Sequence, residues 1–319
     1  MSNSQSPRVV ALEEHYWDPA VVEAWGPVKG KQPAEQLLDV GDKRVADMDA
    51  AGIDVQVLSM GAPAMQAFGA ETAVPLASAA NDRLKAIVDT HPDRYAGFAS
   101  LPTAAPEAAA DELERAVKDL CFCGAMLHGL SHEQKWLDLP EFWPIYARAE
   151  ALDVPIYFHP ALPHPAVVGA YLKDYIQDYP EFIHAGWGFT IETATQGVRL
   201  VLSGLFDKHP GLKVILGHMG EGLPFLLWRI NHAFSRGANK TTPFREIFQR
   251  QFYVTTSGNF SDPALQCTIT EMGVDRILFS VDYPYVQNHE GSDWIKTLTL
   301  PDEDVAKICS GNAERLLKI

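Results

Sequence analysis

Six residues of this sequence have side chains suited to bind a cation or move a proton, and five of them stand where an apolar run gives out. Glu13 and His15 follow the run from Val9 to Leu12. His159 follows Val154–Phe158, His218 follows Lys213–Leu216, and Asp282 follows Arg276–Phe279. Glu221 comes three residues after His218. Glu13 and His15 are two apart, so on a strand they project to the same side. With His159 and Asp282 they make two oxygen and two nitrogen donors, a set that can surround one divalent ion. A lone His or Asp at a strand end more often hydrogen-bonds a loop; the joint placement of four favours a metal. A carboxylate at Glu221 can orient the His218 imidazole and raise its basicity, as in a general acid–base pair. The plainer alternative is that Glu221 complements a helix N-terminus. Arg229, among apolar neighbours, could grip a substrate carboxylate bidentately, or stand as a solvated or interface arginine. His128 also ends an apolar run, and either faces the pocket or is a satisfied hydrogen-bonding histidine. His164, His184 and His289 fall on loops and are not taken as ligands.

The elements that must position these residues alternate. Eight short β-rich runs are expected as strands: Val9–Leu12, Val55–Ser59, Tyr95–Ser100, Cys123–His128, Val154–Phe158, Lys213–Leu216, Phe252–Thr255 and Arg276–Phe279. Helical patterns lie between them, at Asp42–Ala51, Ala77–His91, Glu107–Leu120, Pro140–Leu152, Glu192–Lys208, Gly222–Phe234 and Pro263–Met272. Asp302–Cys309 and Asn312–Leu317 close the chain. Continuous apolar strands suit a sheet buried on both faces. Eight strand–helix repeats predict an α/β fold, a (β/α)8 TIM barrel forming one domain over residues 1–319, with a long insertion after strand 5. An open doubly wound sheet is less favoured, because no GxGxxG follows the first strand. In a barrel, chemistry gathers where strands end. Two long connections, Met60–Leu76 and Pro160–Ile191, are expected as lids or pocket walls. The second carries Tyr171, Tyr175, Tyr179, Phe182, Trp187 and Phe189, and Trp187 is assigned to the substrate pocket.

The chain has 319 residues, enough for a large core. It is 47% hydrophobic and 21% charged, which excludes a disordered chain. A net charge of −15 argues against nucleic-acid or anionic-membrane partners. Four scattered cysteines suggest reduced, buried thiols rather than a disulfide framework. No apolar run approaches a membrane span, and the N-terminal MSNSQSPR has no apolar leader, so a cytoplasmic protein is expected.

At these residues the sequence resembles the amidohydrolase superfamily, and within it the branch of metal-dependent, non-oxidative aromatic acid decarboxylases. The resemblance is carried by Ala11-Leu12-Glu13-Glu14-His15, Pro155-Ile156-Tyr157-Phe158-His159-Pro160, and Trp187-Gly188-Phe189 followed by Glu192-Thr193. It continues in Leu216-Gly217-His218-Met219-Gly220-Glu221-Gly222-Leu223-Pro224-Phe225, Ile277-Leu278-Phe279-Ser280-Val281-Asp282-Tyr283-Pro284 and Asn312-Ala313-Glu314-Arg315-Leu316. It implies that Glu13, His15, His159 and Asp282 hold one zinc or manganese ion, that His218 and Glu221 form the catalytic pair, and that Arg229 contacts substrate. Barrel hydrolases with two bridged metals start with His-x-His and carry a lysine at the end of strand four; neither is present here, which favours a single ion. Trp17 and His128 depart from the hydroxybenzoate enzymes and are expected to reshape the substrate pocket. The implied reaction protonates the ring carbon bearing the carboxylate, with Asp282 as proton donor, and then releases CO2. A hydrolase or hydratase of a small cyclic or enol acid is the competing reading, and a non-catalytic barrel a weaker one. A homodimer or homotetramer is expected.

Overall fold

The computed structural model describes residues 7–27 and 32–319. Residues 1–6 of the N-terminal stretch read above for a leader lie outside the described residues. The strands are β1 (Val10–Tyr16), β2 (Val55–Met60), β3 in two pieces (Tyr95–Gly97 and Ala99–Ser100), β4 (Ala125–His128), β5 (Pro155–His159), β6 (Lys213–Leu216), β7 (Phe252–Thr255) and β8 (Ile277–Leu278). All neighbouring pairs within the two ladders, β1–β2–β3 and β3–β8, are parallel. Helices stand between them, including α1 (Asp42–Ala51), α2 (Ala70–Thr90), α3 (Pro106–Lys118), α4 (Trp143–Leu152), α5 (Gly188–Leu202), α6 (Leu223–Phe234), α7 (Asp262–Met272) and α8 (Asn312–Leu317). This is the expected TIM-barrel order. Among the described residues no helix is long and apolar enough to cross a membrane.

The barrel interior is filled by Val10, Leu12, Val55, Val57, Phe98, Met126, Tyr157, Ile215 and Leu278, with Ala313, Leu316 and Leu317 of α8 packed on the same cluster. A second, larger cluster lies between strands and helices, where Ala11, Leu58, Leu127, Phe158 and Val254 meet residues such as Leu84, Leu113, Tyr146 and Leu200.

Several expected boundaries shift, each for a local reason. β3 breaks at Phe98, whose N–H bonds Leu58 O of β2 at 2.9 Å while Ala99 N–H turns to Gly124 O at 2.9 Å. The connection after β2 is shorter than expected because α2 starts at Ala70 and runs through Pro75, which removes only one backbone donor. The segment expected as one helix over Glu192–Lys208 is two. Its first part begins already at Gly188, and Gly204, at φ +85°, divides it from Leu205–Lys208. The insertion after β5 is not bare loop but a series of short helical turns, among them Pro165–Val167 and Pro180–Ile183. Cys123 and Cys309 are buried as expected, but Cys121 is exposed and Cys267 half-buried; all four are free thiols.

Candidate active site

β1 carries an irregularity that aims the first two candidate ligands. Val10 pairs with Val55 and Ala11 with Gln56, but Glu14 pairs with Leu58, so β1 spends one extra residue there. Such a bulge rotates the strand's faces. Val10 and Leu12 point into the barrel before it; Glu13 and His15 do so after it. β5 needs no such device, since Tyr157 and His159 simply alternate onto the same face.

At the mouth, donor atoms of Glu13, His15, His159 and Asp282 all lie within 4.8 Å of one another. Glu13 Oε1 is 3.2 Å from His159 Nε2, and His15 Nε2 is 3.3 Å from Asp282 Oδ1. Each side chain is held from behind. Glu13 Oε2 accepts from the Tyr157 and Ser257 hydroxyls, and from Thr255 Oγ1 at 3.4 Å. His15 Nδ1 is 3.2 Å from Ser59 Oγ, and His159 Nδ1 is 2.7 Å from Pro160 O. Both histidines therefore present Nε2 to the centre. Gly217 leaves room for the Glu13 carboxylate, because a Cβ there would sit 2.8 Å from Glu13 Oε2.

The atoms facing the centre test whether a cation fits. Glu13 Oε1, His15 Nε2 and Asp282 Oδ1 are buried and hydrogen-bonded to nothing. Unpaired buried polar atoms are costly, and three aimed at one point suit a shared cation. The electrostatics agree. Burial raises the Glu13 carboxyl, although neighbouring histidines pull it back. Burial, with His15, His128 and His218 close by, holds His159 well below the usual imidazole range, which keeps it a neutral donor.

His218 stands beside this cluster. Its Nδ1 lies 2.7 Å from Glu221 Oε1, and its Nε2 lies 3.5 Å from Glu13 Oε1 and 3.7 Å from Asp282 Oδ2. Burial alone would lower its pKa, but Glu221, Glu13 and Asp282 outweigh it and hold the imidazolium well above the usual range. Asp282 is buried too, and the close approach of His15 and His218 overcomes that to keep it below the ordinary carboxylate value. The helix expected over Gly222–Phe234 begins at Leu223 and is preceded by a left-handed turn: φ is positive at His218, Met219, Gly220, Glu221 and Gly222. That turn, not a right-handed helix, brings Glu221 back onto His218.

The remaining expected site residues are less gathered. His128 is buried, with Nδ1 3.1 Å from His159 Nδ1 and Nε2 unpartnered; burial and then His15 push it down to about 3. Trp17 is buried against Gly61 and Trp25 beside the end of β1, with its indole N–H unpaired. Trp187 is 50% exposed at the start of α5. Arg229 is exposed on α6 and makes no hydrogen bond or ion pair among the described residues. The sequence reading did not include Tyr157, Thr255 and Ser257; two-residue alternation along β5 and β7 was the signal that marked them.

The barrel and its rim of converging ligand donors define a metal-dependent enzyme class, and the chain belongs to the amidohydrolase family, whose pattern it matches over residues 13–319. It is 42% identical over 325 residues to a gamma-resorcylate decarboxylase of Polaromonas sp. strain JS666, covering 97% of this chain and 98% of that protein. A crystal structure of 2,6-dihydroxybenzoate decarboxylase complexed with 2,6-dihydroxybenzoate superposes with TM-score 0.90 at 40% identity, covering 98% of this chain and 100% of that one. A dihydroxybenzoic acid decarboxylase from Polaromonas sp. JS666, with bound manganese and the inhibitor 2-nitroresorcinol, superposes with TM-score 0.90 at 40% identity, covering 98% and 97%.

Proposed function

We propose that this chain catalyses the metal-dependent, non-oxidative decarboxylation of a hydroxylated aromatic acid, a carbon–carbon lyase reaction, with a dihydroxybenzoate as the substrate to try first. The observation that carries it is the convergence of four ligand donors beside the hydrogen-bonded His218–Glu221 pair, in a chain with a 42%-identical relative named as a decarboxylase. Glu13, His15, His159 and Asp282 would hold one divalent ion. The manganese in the Polaromonas structure makes Mn2+ the first ion to test and Zn2+ the second. Such an ion supplies Lewis-acid polarisation of the substrate's oxygens.

The chain's own residues account for the proton. Asp282 turns Oδ1 to the ligand cluster and Oδ2 to His218, which leaves Oδ2 to carry a proton. Held ionised at rest, it takes the phenolic proton when substrate binds, then delivers it to the ring carbon that bears the carboxylate. That carbon becomes tetrahedral, the C–C bond breaks, its electrons restore the aromatic ring, and CO2 leaves. The product phenolate takes a proton back through the His218 imidazolium, which Glu221 orients and recharges from solvent. Arg229 would take the substrate carboxylate, and Trp17, His128 and Trp187 would shape the pocket around the ring.

Exposed aromatics on α6 (Phe225, Trp228) and on the insertion (Tyr171, Tyr175, Tyr179) support a homodimer or homotetramer. The free thiols support work in the cytoplasm. The test is metal analysis of the purified protein together with CO2 release from 2,6-dihydroxybenzoate. Stoichiometric metal with CO2 release is expected; no metal and no CO2 from any hydroxybenzoate overturns the reading.

A further inference from the structure

The residue between the two β1 ligands has a task of its own. Glu14 is fully buried, and its carboxyl bonds the segment after β8 rather than joining the ligand cluster. Its Oε1 accepts from Val281 N at 2.9 Å and Ser280 Oγ at 3.1 Å. Its Oε2 accepts from Tyr283 N at 3.2 Å and Gln56 Nε2 at 3.5 Å. Val281 and Tyr283 are the two neighbours of Asp282 in the chain. The residue flanked by two candidate ligands thus binds the backbone amides that flank a third.

This contact stands where a strand ladder is missing. β1 and β8 are not paired as strands. Besides Glu14, what joins β1 to the segment after β8 is His15 N to Tyr283 O at 2.7 Å and Glu13 N to Ser280 Oγ at 2.6 Å. Arg44 braces the same place from α1. Its Nη1 donates to His15 O at 2.7 Å, its Nε donates to Gln56 Oε1 at 2.7 Å, and its guanidinium lies 4.7 Å over the Tyr283 ring. A fully buried arginine and carboxylate are costly to retain unless every bond they make is needed.

We propose that Glu14, supported by Ser280 and Arg44, is a positioning residue that sets the distance between the β1 ligands and Asp282, and so sets the affinity of the site for its divalent ion. The inference rests on the metal site proposed above but not on the reaction. Hydrogen-bonded supports of this kind change metal affinity by roughly 10–100-fold when removed.

The test measures Mn2+ dissociation constants by chelator competition on folded protein, beside thermal unfolding of the metal-free form. Glu14→Gln keeps the shape but replaces one acceptor oxygen with a donor facing donors. Ser280→Ala is the milder change and serves if the first does not fold. Asn312→Ala is the control: Asn312 also ties β8, through Ile277 O at 2.8 Å and Val274 O at 2.8 Å, but at the opposite end of the strand. Glu14→Gln or Ser280→Ala should raise the Mn2+ Kd at least tenfold, while Asn312→Ala lowers the unfolding temperature and leaves Kd unchanged. Wild-type Kd in both seam variants, or an equal rise in the control, overturns the proposal. So does a wild-type protein that binds neither Mn2+ nor Zn2+. Tight metal binding without CO2 release would instead overturn the decarboxylase reading and leave this one standing.

Discussion

The barrel has two places where its ladder is interrupted, and they are bridged by opposite chemistry. At β3 the break is one residue, Phe98, and the main chain itself crosses it, with an apolar side chain filling the interior. Between β8 and β1 the bridge is mostly side chain: Glu14, Ser280 and the brace of Arg44. Where backbone closes the barrel, its own N–H and C=O groups make the closure. Where side chains close it, Glu13, His15 and Asp282 stand on either side of the join.

Changes at the two joins should fail in different ways. The largest effect is expected at the polar join. Asp282→Asn should lower kcat roughly 10²–10⁴-fold or more while substrate still binds, as read by steady-state kinetics with a binding assay; near-normal turnover would remove Asp282 from the proton path. Next comes the apolar join. Phe98→Ala empties a fully buried position and should cost about 3–5 kcal/mol of stability in denaturant unfolding. The Mn2+ Kd of the folded fraction should stay as in wild type, and a parallel loss of metal would erase the distinction between the joins. Gly217→Ala tests the support of Glu13 from β6. Its Cβ would press on Glu13 Oε2, and a loss of metal affinity of about tenfold with little change in unfolding temperature is expected.

A pH-dependent effect belongs to neither join. Glu192 on α5 is buried with Oε1 unpartnered, and burial, with the Glu221 charge adding to it, pushes its carboxyl from 4.5 up to about 8. The folded form therefore keeps a proton that the unfolded form gives up. Its contribution to stability is complete below pH 4.5 and is lost as pH rises toward 8, with a slope of at most about 1.4 kcal/mol per pH unit. Glu192→Gln should flatten the wild-type fall in stability over that range; an unchanged slope would show that Glu192 does not carry the proton.

Most of the strands were legible because parallel barrel strands are continuous apolar runs, and β6 and β7 have the bounds that their residue types suggest. The site residues were legible as far as alternation holds. Glu13 and His15 do share a face, but strict alternation from Val10 and Leu12 would have turned them outward. Only the bulge before Glu14 corrects this, and no glycine or proline marks it in the sequence. The role of Glu14 was hidden for a related reason. A glutamate beside two candidate ligands looks like a third, and its true partners, Val281 and Tyr283, lie some 270 positions away. Arg229 and Trp187 rested on motif and composition alone, and a single chain leaves both exposed.

The left-handed turn at 218–222 bears on how this protein would respond to stabilising selection. Three of its five residues, His218, Met219 and Glu221, carry side chains in a conformation that disfavours them by roughly 1–2 kcal/mol each. A laboratory screen for heat resistance would find relief there by introducing glycine at 218 or 221 or by rebuilding the loop as an ordinary helix start. Each such gain would release the imidazole from its carboxylate. Thermostable survivors should therefore divide into those improved elsewhere and those improved at this turn, and only the first group should still work.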